Sequence, residues 1–206
     1  MRIFLLMILA CFFSELISET PSTLPGEYAT IDEKNSREAV RILMSDKYSL
    51  AERSRTANLV QAEPGNYTPW ALLALGLYRL SQNHLNDAAL FLRAAVFRII
   101  VDTKISQDPD VDNVIEIAFD LIREYTETYI DTPQKKKAWA EALAQASKEL
   151  EHWDRVTPRN YDARWISLHG TGVFSGKPLK KTTPEQKEAI IEEEYRLFRE
   201  NAPINE

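Results

Sequence analysis

The 206-residue chain predicts an all-α fold, an irregular bundle of about six to seven helices, on three observations. Ala, Leu, Glu and Arg are abundant while Gly occurs only six times, which favours helices over a turn-rich β protein. Apolar residues recur at three- and four-residue intervals in successive stretches. Strict two-residue alternation nowhere extends far enough to propose a sheet.

The first segment is read as a leader. Met1 and Arg2 precede Ile3–Phe13, an uncharged apolar run of eleven residues, and polarity begins at Ser14 and Glu15. A cationic tip followed by a short apolar stretch has the layout of a secretory signal peptide over residues 1–18, and it is too short for the roughly 20 residues a membrane span needs. Ile8-Leu9-Ala10-Cys11 resembles a bacterial lipobox, which implies acylation of Cys11 and a membrane tether through it. Two other outcomes stay open: Cys11 is one more apolar residue of a signal cleaved near Ser14 or Ser18, or the leader is an uncleaved anchor. Either way the expected address is extracytoplasmic, meaning periplasmic, envelope-associated or secreted. About 185 residues then remain for one domain, with no cysteine left to form a disulfide.

Residues 19–34, with Pro21, Pro25 and Gly26, read as an irregular leader or linker before a single helical domain over 35–206. The first helix is expected after Asn35, with Asn35 and Glu38 as a capping arrangement, and ends near Met44. A second runs from Ser49 to about Gln61, opened by the capping-box pair Ser49 and Glu52 and stopped by Glu63-Pro64-Gly65-Asn66. Thr68 caps a third, with Pro69 in its first turn where a missing N–H costs nothing. This third helix is apolar nearly all round, through Trp70, Leu72, Leu73, Leu75, Leu77, Tyr78 and Leu80, and must be buried on several sides.

A break at Ser81–His84 leads to a fourth helix, about Leu85 to Val101, antiparallel to the third because the connection is short. Asp108-Pro109-Asp110 starts a fifth, with the face Val114, Ala118, Leu121 and Tyr125. Thr132 and Pro133 start a sixth, with Trp139, Leu143, Ala146, Leu150 and Trp153 on one stripe. Thr183, Pro184 and Gln186 open the last, to about Glu200.

Within the third and fourth helices, Leu72, Leu75, Gly76, Ala88, Leu92 and Ala95 stand at the spacings of a tetratricopeptide repeat, and the stretch 69–102 resembles one such helical hairpin. Arg79 and Ile100 depart from that pattern, which has an aromatic and a proline there, and no second copy lies 34 residues away in either direction. The resemblance implies a concave helical surface that binds peptides or partner proteins.

Several chemistries are excluded by spacing or count. The net charge of −6 with interspersed signs provides no footprint for nucleic acid. Gly170–Lys177 lacks the spacing and the Ser/Thr of a P-loop and follows no predicted strand. Glu149 and His152 are one half of a di-iron motif without the other half. Three scattered histidines and no mature cysteine supply no zinc ligand set, so neither cofactor nor metal is expected. Asn66-Tyr67-Thr68 is a formal glycosylation acceptor sequence, disfavoured by Pro69.

Two features remain. Lys135, Lys136 and Lys137 lie in the first turn of a predicted helix, where the helix dipole disfavours cations, and so offer contact with an acidic partner or lipid headgroups, or else a solvated turn. Tyr161–Gly176 concentrates Tyr161, Arg164, Trp165, His169 and Phe174. A short helix over Asp162–Leu168 would bring Tyr161, Trp165 and His169 to one face, either as a ligand pocket with Arg164 as anion binder and His169 in proton transfer, or as aromatic anchors for a long connection. The expected function is noncatalytic protein binding, as an envelope adaptor or assembly factor or as an immunity-type inhibitor. A small-ligand-binding protein or hydrolase using Tyr161–His169, and an envelope-associated structural protein, are the alternatives.

Overall fold

The computed structural model describes residues 24, 26–106, 111–175, 178–179 and 181–200. Its helices are α1 (Lys34–Leu43), α2 (Leu50–Ala62), α3 (Pro69–Ser81), α4 (Leu85–Ser106), α5 (Asn113–Tyr129), α6 (Pro133–Val156), the short α7 (Gly172–Ser175) and α8 (Pro184–Glu200). Short 3-10 helices cover Gly26–Thr30, Pro64–Asn66 and Ala163–His169. Among the described residues there is no strand, and the fold is an all-α bundle. The leader with Cys11 and the turn Asp108-Pro109-Asp110 lie outside the described residues.

The most apolar of the described helices form the centre. Ten of the thirteen residues of α3 are buried, so this helix is covered on all sides, by α1, α2, α4 and α5. Its partner α4 carries a second apolar set and also packs against α5, α6, α8 and the 3-10 helix 163–169. Asn83 ends α3 by taking a left-handed conformation (φ 62°), and the His84 and Asn83 amides return to the Arg79 and Leu80 carbonyls at 2.9 and 3.0 Å. This is a Schellman closure, and it lets α4 fold straight back. At the crossing, a Cβ on Gly76 would lie 2.7 Å from Leu92 Cγ and 3.0 Å from the Leu92 nitrogen, so the helices approach to a distance only glycine permits. A second apolar cluster joins Phe97 and Val101 of α4 to Leu150 of α6 and Tyr195 of α8, with the Phe97 and Tyr195 rings stacked at 4.8 Å.

Several boundaries follow their expected chemistry. Ser49 and Glu52 form the capping box of α2, and Thr132 Oγ1 accepts from the Lys135 amide at 3.2 Å to start α6. Thr183 and Gln186 exchange hydrogen bonds at the start of α8.

Others are corrected. The first helix begins at Lys34 rather than after Asn35: Asp32 Oδ1 accepts from the Lys34 amide, and Glu38 pairs with Arg41 instead of capping. Thr68 precedes α3 without a side-chain cap bond; it is buried, and its amide donates to Ser36 Oγ at 2.9 Å, which ties α1 to the start of α3. Helix α4 continues five residues past Val101, because Val101, Asp102, Thr103 and Ile105 are all buried and extend its packed face. The stretch 19–34 is not irregular throughout: Gly26–Thr30 forms a 3-10 turn whose Tyr28 is buried, and Ile31 packs on the core. The predicted helix over Asp162–Leu168 is a 3-10 helix over Ala163–His169, opened by Asp162, whose carboxylate accepts from the Arg164 amide.

The turn after α2 is sewn to the distant connection after α6. The Asn160 amide donates to the Gly65 carbonyl at 2.8 Å, and a Cβ at Gly65 would stand 2.1 Å from the Pro158 carbonyl oxygen. That neighbour is backbone and has little room to yield. Gly65→Ala is therefore expected to lower stability by about 1–3 kcal/mol, seen as a lower urea midpoint with unchanged slope; an unchanged midpoint would contradict the close packing.

Candidate functional site

The Tyr161–His169 segment is brought together, and its groups bond to the protein itself. Tyr161 Oη and Trp165 Nε1 both donate to Asp102 Oδ2, at 3.0 and 2.7 Å. Trp165 is fully buried, and its ring meets His169 edge-on at 5.5 Å and Trp70 at 6.4 Å. Trp70 Nε1 donates to His169 Nε2 at 3.2 Å, which requires that nitrogen to be unprotonated. Burial first, and the Arg37 charge second, push the His169 pKa down to about 4, so the imidazole is neutral near pH 7 and its acceptor lone pair is engaged. Arg164 points elsewhere: it is held by both oxygens of Asp162 and by Thr30 Oγ1, at the surface. The predicted pocket joining Arg164 to His169 is thus split, with Arg164 facing Asp162 and His169 facing two indoles. Phe174 is 89% exposed, in contrast to the fully buried Trp165.

Behind the aromatics lies a charged cluster that sequence reasoning missed. Arg98 and Asp102 on α4 are fully buried. Arg98 Nε donates to Asp154 Oδ1 at 2.5 Å, and its Nη2 to the Thr157 carbonyl at 2.8 Å. Arg159 Nη2 and Tyr195 Oη both donate to Asp154 Oδ2 at 2.6 Å. One carboxylate therefore joins α4, α6, the 157–161 connection and α8. The Arg159 and Arg98 charges and the bonds from Tyr195 and Arg159 outweigh burial and hold the Asp154 pKa below the usual carboxylate range. Asp102 has the opposite balance: burial, opposed by Arg159, Trp165, Tyr161 and Arg98, pushes its pKa up to about 6. Among the described residues its Oδ1, like Arg98 Nη1 and Arg159 Nη1, has no hydrogen-bond partner. The signal in the sequence was a pair of opposite charges four residues apart inside an apolar helix, Arg98 and Asp102, and an acid one turn past Leu150 on the buried stripe of α6.

The lysine run is divided by the structure. Lys135 reaches back from the first turn of α6 to the Tyr129 carbonyl (3.0 Å) and Asp131 (2.9 Å). It thereby caps the C-terminal end of α5, where a cation is favoured, and this accounts for its position against the dipole rule. Lys136 and Lys137 are exposed, with Lys137 4.0 Å from Glu141.

Next to these lysines, an open groove of about 530 Å³ runs between the α3–α4 turn and α6, lined by Asn83, Leu85, Asn86, Ala138, Glu141 and Gln145, with Ala142 at its floor. The repeat-like positions Leu72, Leu75, Gly76, Ala88, Leu92 and Ala95 are all buried within the bundle. The depression beside this hairpin is therefore at its tip, with polar and apolar lining in similar measure, and the hairpin's sides are covered by the chain's own helices. Among the described residues, no group of three His, Cys, Asp or Glu could hold a metal ion, and no helix is long and apolar enough to cross a membrane. No family model, curated protein or solved structure matches this chain.

Proposed function

We propose that this chain is an exported, noncatalytic helical protein that acts by binding another protein, as an envelope adaptor or assembly factor or as an immunity-type inhibitor. Export rests on the leader sequence and on Cys11 as a candidate tether. The observation that carries the binding role is the contrast between two regions. The reactive-looking groups Tyr161, Trp165 and His169 are engaged in internal hydrogen bonds, whereas Asn83, Asn86, Glu141 and Gln145 line an open groove with exposed side chains. Amide and carboxylate groups in a groove suit a polar or helical segment of a partner, and the adjacent Lys136 and Lys137 favour an acidic rim on it.

The test is affinity capture from an envelope extract with the wild-type chain and with Asn86→Glu/Gln145→Glu. A partner recovered by the wild type should be lost by the double variant at unchanged helical circular dichroism, and Lys137→Glu should weaken capture and reduce its salt dependence. Equal capture by all three chains would count against the groove.

A further inference from the structure

A single buried side chain, Trp165, spans two groups of opposite acid–base character. Its indole N–H donates to Asp102, and its ring edge meets His169. Asp102 has no solvent exposure and, among the described residues, one oxygen without a donor, an arrangement that favours a protonated carboxyl. His169 must be unprotonated at Nε2 to receive the Trp70 N–H. From these contacts we infer that docking of the 157–170 segment onto α3 and α4 is a proton exchange, in which closure takes up a proton at Asp102 and releases one from His169.

The charged and titratable groups facing the two sites act differently: those at Asp102 favour the carboxylate and are outweighed by its burial, whereas the one at His169 adds to the effect of burial. Asp102 is faced by Arg98 from its own helix and by Arg159 and Tyr161 from the connection. Asp154 and Tyr195 lie behind the two arginines. His169 is faced by Arg37 of α1, which is itself paired with Glu33. The signs are opposite. The carboxyl of Asp102 is raised from an ordinary 3.8 to about 6, so closure binds a proton between those values, and its contribution to docking grows as pH falls through that window. His169 is depressed from 6.5 to about 4, so its contribution is complete above 6.5 and lost as pH falls toward 4. The two windows overlap between pH 4 and 6, where the effects offset, and the wild-type segment stays docked with little pH dependence across mildly acidic conditions.

The test removes one partner at a time in the full chain. Native-state exchange of the Trp165 indole proton reports opening, compared as the ratio of each variant to wild type at every pH. For Asp102→Asn this opening ratio should rise, by roughly thirtyfold, as pH falls from 6 to 4. For His169→Gln, whose amide oxygen still accepts from Trp70, the ratio should fall by a similar factor between pH 6.5 and 4. Ratios that are flat, or that slope in the same direction, overturn the exchange. Should either variant not fold, titration of the wild-type chain by NMR decides: His169 titrating below pH 5 and Asp102 above pH 5 supports it, and ordinary midpoints for both refute it.

Discussion

Asp154→Ala is expected to cost roughly 3–5 kcal/mol of folding stability, among the largest effects of any single substitution in the chain. The carboxylate is almost completely shielded from water and accepts from Arg98, Arg159 and Tyr195. Removing it leaves the Arg98 guanidinium, with no exposure, in a low-dielectric site beside the Trp153 ring without its counter-charge. The Thr157 carbonyl and the ring face do not replace a full negative charge. Four elements meet at this residue, so the loss falls on the whole cooperative unit and appears as a lower denaturant midpoint. The surface network of Arg155 with Glu151 and Glu192 is the control: those pairs are solvated, and Arg155→Ala should cost no more than about 1 kcal/mol. Similar losses for the two variants would show that the buried pair has no special weight.

Trp165→Ala carries a comparable expected loss, about 3–5 kcal/mol, for a different reason. The indole is fully buried against Trp70 and His169, and truncation leaves a cavity between the 3-10 helix and α3 and α4. It also strips Asp102 of one of two donors. Trp165→Phe separates the terms, since it keeps a ring but removes the N–H. Loss of a hydrogen bond to a carboxylate predicts about 1.5–3 kcal/mol for that variant, with the remainder belonging to packing. Urea denaturation followed by circular dichroism measures both, and a Trp165→Phe variant as stable as wild type would remove Asp102 from the account of how this segment is held.

The helices were legible in the sequence where local chemistry acts alone. The Ser49–Glu52 box, Pro69 and Pro133 at first turns, and the apolar circumference of α3 each need only neighbours along the chain. The first helix was misplaced by a residue or two because Asp32 and Glu33, not Asn35, serve its first turn, and nothing in the spacing distinguishes them. Helix α4 runs past the expected end near Val101 with Asp102 and Thr103 buried, and only Tyr161 and Trp165, some 60 residues on, make an aspartate acceptable inside. For the same reason the aromatic segment was recognised as unusual while its acceptor was not. Proximity in sequence groups Arg164 with His169, whereas the carboxylate two residues before Arg164 holds it. Lys135 broke a dipole rule only until the end of α5 was placed beside it.

Affinity measured on folded variants tests directly whether the residues that hold the bundle are distinct from those proposed to meet a partner. Binding of a captured partner would be titrated against wild type, Asp154→Ala and Asn86→Glu/Gln145→Glu at a temperature where all three remain folded. The expected result is a destabilised Asp154→Ala chain that binds with wild-type affinity, beside a fully stable groove variant whose binding is lost. The reverse pattern, with binding abolished at Asp154 and untouched at the groove, would place function in the buried charge cluster and contradict the proposal.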